Sequence, residues 1–157
     1  MNYRIFRSEP IMTLNDLAQI GSHNKREKKA YKSNPNIKLE LTKNNIELVP
    51  LKEKYVKEFH NLTKKYRKQH EEKQKTERED RKRSYSEMLN KSRSVVADEL
   101  LFTATNNFFK VKDKNFILKW ANTCIDFVYN NLGYTKEQIL HSTLHLDEAT
   151  PHIHCVV

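Results

Sequence analysis

Residues 138–157 read QILHSTLHLDEATPHIHCVV, and two runs of alternation within them set the architecture. Leu140, Leu144 and Leu146 share one parity, while His141, Thr143 and His145 share the other. Further on, His152, His154 and Val156 alternate with Ile153, Cys155 and Val157. A period of two is that of an extended strand, whose successive side chains point to opposite faces. Between the runs, Asp147-Glu148-Ala149-Thr150-Pro151 has the length and turn chemistry to join adjacent antiparallel strands. The stretch is therefore a β-hairpin with one histidine-rich face.

That face has a definite chemistry. Histidines at i and i+2 of a strand lie on the same side with Cα atoms roughly 6.5–7 Å apart. A neighbouring strand can bring His145 beside His152 and His154. Three imidazoles can then converge on one divalent ion, leaving coordination positions for water or substrate, as catalytic rather than structural sites do. Imidazole chemistry alone suits Zn²⁺, Ni²⁺, Co²⁺ or Mn²⁺. Asp147 and Glu148 in the turn can orient a ligand or act on a neighbouring group. His141 shares the face two residues farther along, as an outer support or a nucleic-acid-facing residue.

Upstream of the hairpin, Asp113 caps an expected core helix carrying Phe116, Ile117, Trp120, Ala121, Cys124, Phe127 and Val128, with Gly133 ending it. Residues 95–105 read as a strand of poor alternation. From Leu51 to about Lys82 the pattern is helical, with Leu51, Tyr55, Phe59, Leu62 and Tyr66 at spacings of three and four. Beyond Tyr66 the apolar stripe stops, and residues 51–94 are expected to form a long charged, basic helical insertion or arm, a packed helix running on into a solvated stretch, with a flexible insertion between two parts of the fold as the alternative. Ile46–Val49 is a short extended piece, and Pro35 marks residues 33–36 as loop. Thr13 caps a helix running past Gly21 to His23 and the basic cluster Lys25, Arg26, Lys28, Lys29. Asn2–Arg7 alternates as a first strand. An antiparallel sheet with helices packed on it, of α+β class, accounts for this order.

Composition bounds the function. The 157 residues suit one domain. The formal net charge is +9, concentrated in the first 83 residues: residues 1–50 hold nine basic and five acidic side chains, and residues 51–83 hold thirteen and seven. Such asymmetry points to a polyanionic partner, nucleic acid or an anionic membrane surface. Cys124 and Cys155 lack disulfide-ladder or CxxC spacing, which suits a reducing compartment. No stretch approaches eighteen apolar residues and no signal-peptide core is visible, so a cytoplasmic protein without membrane insertion is expected.

The segment from His145 to His154, an HLDE box joined to a TPHxH box at fixed spacing, resembles the signature of MobV-type (Pre/Mob) plasmid mobilisation relaxases, within the histidine–hydrophobe–histidine (HUH) endonuclease group. Ser22-His23-Asn24-Lys25-Arg26 resembles that family's HNxR motif, and the stretch from Asn36-Ile37 to Asn45-Ile46-Glu47-Leu48 resembles the family segment next to that motif. The resemblance covers residues 1–50 and 98–157, and it implies a relaxase-like two-layer α+β sandwich. It implies that His145, His152 and His154 hold Mn²⁺ or Mg²⁺, that His23 is the nucleophile with Glu148 polarising or orienting it, and that Arg26 contacts a phosphate. Tyr31 is the alternative nucleophile, since some relatives use tyrosine. Asn24, Lys25, Arg26, Lys28 and Lys29 are the candidate DNA-binding residues, for single-stranded and supercoiled plasmid DNA at a transfer origin. The implied reaction is strand-specific nicking and rejoining through a covalent 5′-phosphate intermediate. Relatives continue beyond the last histidine, so the domain is expected to be incomplete at its C-terminus. Two other readings compete with this one: a truncated DNA-binding module without catalysis, and a hydrolase that uses activated water.

Overall fold

The computed structural model describes residues 1–157. Five strands form one sheet: β1 (Arg4–Ile11), β2 (Ile46–Val49), β3 (Ala97–Ala104), β4 (His141–His145) and β5 (His152–Val156). Their spatial order is β1-β3-β5-β4-β2, and every neighbouring pair is antiparallel. The expected hairpin is β4–β5, with His145 directly opposite His152 and Thr143 opposite His154. Strand β1 extends to Ile11, farther than its alternation suggested, because its whole length pairs with β3.

Helices occupy both faces. The long helix α6 (Lys114–Asn130) covers one, burying Ala121, Ile125 and Val128 against Leu100, Phe102, Leu144, Ile153 and Cys155. The hairpin residues it covers are the odd-numbered set of β5 and the even-numbered set of β4, as alternation requires. Its start is fixed by the Asp113 carboxylate, which accepts from the Phe116 N–H at 2.8 Å. A short turn, α5 (Asn106–Phe109), precedes it.

The opposite, histidine-bearing face is covered at one end only. Helix α1 (Leu14–Asn24) buries Leu14, Leu17, Gly21 and Asn24, spaced by three and four, with its N-terminus capped by Thr13. Helix α2 (Tyr55–Leu62) lays Tyr55 and Phe59 beside it, and α4 (Tyr85–Lys91) adds Tyr85; all pack with Ile11, Ala97, Leu140 and Val156. Gly21 makes this approach feasible, since a Cβ there would stand 2.7 Å from Cγ of Tyr55.

Residues 51–94 begin with the expected packed helix and run on into a charged arm, but as separate helices rather than one. Tyr55, Phe59 and Tyr85 belong to the core, and the helix breaks at Thr63, whose hydroxyl donates to the Phe59 carbonyl at 2.7 Å. Only α3 (Lys64–Lys75) and the stretch after it, with no buried side chain, form the charged arm. No helix is long and apolar enough to cross a membrane.

Candidate metal centre and nucleophile

The three hairpin histidines converge. Their ring centroids stand 5.1 Å apart in all three pairings, and one nitrogen from each lies within 4.8 Å of the other two. Strand parity explains this: β4 and β5 place His145, His152 and His154 on the face opposite α6. His145 is fully buried, whereas the side chains of His152 and His154 keep 12% and 13% exposure toward an open cleft. His23, Asn34, Asn36, Glu148 and Thr150 also line that cleft.

Acceptors on the outer side of each ring set the tautomers. His145 Nε2–H donates to the Asn24 carbonyl at 2.9 Å, His152 Nδ1–H to the Thr150 carbonyl at 2.9 Å, and His154 Nδ1–H to Glu99 Oε1 at 2.8 Å. The nitrogens left with free lone pairs are His145 Nδ1, His152 Nε2 and His154 Nε2. The first two face each other at 3.3 Å. Two such lone pairs repel one another unless a cation lies between them, and two nitrogens each about 2.1 Å from one tetrahedral ion stand about 3.4 Å apart. This donor set fits a divalent ion, with an outer acceptor behind each ring.

At the C-terminal end of α1, Arg26 is turned inward. Its guanidinium, 1% exposed, donates from Nε and Nη2 to both oxygens of the fully buried Asp147 at 2.8 and 2.9 Å, and from Nη2 to Glu148 at 2.6 Å. Nη1 reaches the His23 carbonyl at 3.0 Å and His23 Nε2 at 3.1 Å. Arg26 is also the one non-glycine residue with positive φ, at 52°, a conformation that persists where surrounding contacts over-determine it. Thr42 supplies a further donor to Asp147 at 3.0 Å. Although burial opposes ionisation, these donors hold the Asp147 carboxyl well below the usual carboxylate range. For Glu148 burial is likewise outweighed, by His152, Asn34 and Arg26, and its pKa falls to about 2.

Removing the guanidinium strands a buried carboxylate. We expect Arg26→Ala to lower unfolding free energy by about 3–5 kcal/mol, read from urea denaturation; a loss below about 1 kcal/mol would contradict this placement.

His23 lies beside the triad, its ring 5.7 Å from His154 and 6.2 Å from His145. Burial first, then the adjacent Arg26 and His154, push its pKa down to about 4 despite the opposing pull of Glu148 and Glu99. The imidazole is therefore neutral at physiological pH. Because a guanidinium can only donate, His23 Nε2 carries the lone pair and Nδ1 the proton.

Burial also pushes His141 down, against Glu47. Groups held neutral in the fold but able to protonate when unfolded make the unfolded state the better proton acceptor. Stability of the metal-free protein should therefore be complete above about pH 6.5 and fall as pH drops toward 4, the value His23 reaches when folded. Thermal unfolding scanned from pH 7.5 to 4.5 tests this; a flat Tm across pH 7 to 5 contradicts it.

The sequence-based site residues do not all share one place. His145, His152, His154, His23 and Glu148 come together, but Glu148 meets His23 through Arg26 rather than directly. Asn24 and Arg26, expected on DNA, are buried instead: Asn24 bonds Tyr55 and Glu99, and Arg26 is consumed by the two carboxylates. Lys25 is partly buried, its ammonium group donating to the carbonyls of Leu51, Lys52 and Glu53, while Lys28 and Lys29 are exposed. The Tyr31 hydroxyl accepts from the Lys28 N–H and donates to the Ser22 carbonyl, both at 3.3 Å, with the ring edge-on to His23. His141 is buried against Tyr55 and does not face the cleft. Sequence reasoning missed Glu99, Asn34 and Tyr55. Glu99 alone left a trace, as a carboxylate on the strand face between Ala97 and Leu101.

A family model described as plasmid recombination enzyme (Mob_Pre) matches residues 1–157. The chain belongs to the plasmid recombination enzyme family. Among solved structures, this family member resembles the MobM relaxase domain (MOBV) bound to oriT DNA of plasmid pMV158, in Mn-bound crystal structures at pH 6.8, 5.5 and 4.6. The TM-scores are 0.76, 0.71 and 0.68, at 21%, 21% and 22% identity. Each alignment covers 99% of this chain, and 69%, 69% and 70% of the relaxase chains. The fold of this plasmid recombination enzyme is that of the relaxase domain. No curated protein matches it.

Proposed function

We propose that this plasmid recombination enzyme nicks one DNA strand at a plasmid transfer origin and rejoins it, through a covalent link between His23 and the 5′ phosphate. One observation carries the reading: a neutral imidazole stands at the edge of three others whose lone pairs converge.

His145, His152 and His154 would hold Mn²⁺ or Mg²⁺. When bound, the ion would supply a positive charge for a non-bridging phosphate oxygen. Mn²⁺ accompanies the MobM relaxase domain in its crystals.

The protein's own residues do the rest. His23 Nε2, the unprotonated nitrogen, attacks phosphorus in line; the N–P bond forms as the P–O3′ bond breaks. His23 Nδ1–H, made acidic by that bond, passes its proton to water in the open cleft, and the departing 3′ oxygen takes one from water. Arg26 sets the tautomer and leaves Nε2 as phosphorus approaches, retaining Asp147 and Glu148. Glu148 thus orients the nucleophile through the guanidinium. Reversal of the same steps reseals the strand. Tyr31 is the poorer nucleophile, because its hydroxyl is committed to backbone partners behind the His23 ring.

Single-stranded and supercoiled plasmid DNA is the substrate we assign, with exposed Lys28, Lys29 and the arm lysines along the phosphates and Asn36 at the cleft wall. The working compartment is then the cytoplasm. The test is mass spectrometry after reaction with an origin oligonucleotide that traps the adduct. A phosphorylated peptide containing His23 is expected; metal-dependent cleavage leaving free 5′ ends and no adduct would identify a hydrolase instead.

A further inference from the structure

Six side chains form a continuous hydrogen-bonded chain that runs from the exposed Glu47 at the sheet edge, through the buried His141, Tyr55 and Asn24, to a site imidazole. Glu47 on the edge strand β2 accepts from His141 Nε2–H at 2.9 Å. His141 Nδ1 accepts the Tyr55 hydroxyl proton. The Tyr55 oxygen in turn accepts from Asn24 Nδ2 at 3.2 Å, and the same amide nitrogen donates to Glu99 Oε1 at 2.9 Å. Glu99 Oε1 holds His154 Nδ1–H. Asn24 is therefore linked to two of the three imidazoles: its backbone carbonyl holds His145 directly, and its side chain reaches His154 through Glu99.

We propose that Tyr55 and His141 are positioning residues for the three-imidazole site, acting through Asn24 to set the angles of His145 and His154. This rests on the metal reading above. Both Asn24 N–H groups are spent, one on Tyr55 and one on Glu99, whereas its Oδ1 has no hydrogen-bond partner. Nothing but those two acceptors keeps the amide from turning over, and a turned amide would aim an oxygen at the Glu99 carboxylate. Tyr55 packs in a hydrophobic cluster with Leu14, Leu17, Phe59 and Tyr85, where phenylalanine would fill nearly the same volume without a hydroxyl to satisfy. Burying a hydroxyl costs free energy unless it is hydrogen-bonded. The hydroxyl's partners are His141 and Asn24, and the line they form ends on the site.

Outer supports of metal-bound histidines typically contribute 10–100-fold to metal affinity. We therefore expect Tyr55→Phe to raise the Mn²⁺ dissociation constant about 10-fold, measured from the paramagnetic resonance signal of free Mn²⁺ during titration. Phe59→Leu, in the same core cluster but off the chain, should lower Tm without changing Mn²⁺ affinity. Glu99→Gln combined with Tyr55→Phe should weaken binding by less than the product of the two single effects, since Tyr55 reaches His154 only by way of Asn24 and Glu99. Should Tyr55→Phe fail to fold, His141→Gln reads the same quantity. Wild-type affinity in Tyr55→Phe, or equal weakening in Phe59→Leu, overturns this proposal alone. A wild-type chain that takes up no Mn²⁺ overturns the metal reading, and this proposal with it.

Discussion

His154→Ala and His152→Ala should each abolish Mn²⁺-dependent nicking of origin DNA and weaken Mn²⁺ binding more than about 100-fold, beyond the 10–100-fold typical of an outer support. Each removes a ring whose free nitrogen lies within 4.8 Å of the other two. Two ligands remain, and the cleft loses the side from which a phosphate oxygen is met. Affinity for single-stranded origin DNA should stay within about threefold, because lysine and arginine contacts to phosphates dominate it. Both rings are slightly exposed at the cleft wall, so neither change opens a core cavity. Nicking at the wild-type rate by either variant would remove the proposed centre; lost DNA binding would mean that the histidines serve the nucleic-acid surface instead.

The second large effect is at His23. His23→Ala should eliminate the covalent protein–DNA adduct and lower strand cleavage by about 10⁴ or more, as loss of a nucleophile does elsewhere, while Mn²⁺ affinity changes by less than about twofold. The distinction from the triad variants is geometric: His23 borders the convergent nitrogens without being one of them. Its loss also frees Nη1 of Arg26 from one of two contacts, leaving the Asp147 pair intact. An adduct that survives the change and maps to Tyr31 would reassign the nucleophile while preserving the reaction. Hydrolytic cleavage at undiminished rate would reject covalent chemistry altogether.

How much of this was legible beforehand depended on range. The hairpin was readable because strand periodicity acts over two residues and the turn over five; the parity of His145, His152 and His154 came directly from it. Helix ends marked by Thr13 and Asp113 were equally local. Arg26 and Asn24 misled because a cationic or amide side chain beside a basic cluster carries no mark of direction. What turns them inward is Asp147, 121 positions away, and Glu99, 75 away. Tyr55 looked like one more member of a helical stripe. That the stripe splits, with Tyr55 and Phe59 buried while Leu62 and Tyr66 are exposed, depends on where α1 packs and where Thr63 breaks the helix. Neither is encoded in the local pattern.

The direct opposition of His145 and His152 across the hairpin has an evolutionary corollary. Side chains of paired strands change sides with every residue of slippage, so adding or deleting one amino acid between Asp147 and Pro151 would separate His145 from His152 and His154, turning one set to the α6 side. The stretch from Lys64 to Arg83, which contributes no residue to the core, can change length at lower cost. Divergence within such a lineage should accumulate as indels in the arm, while the hairpin connection stays constant in length.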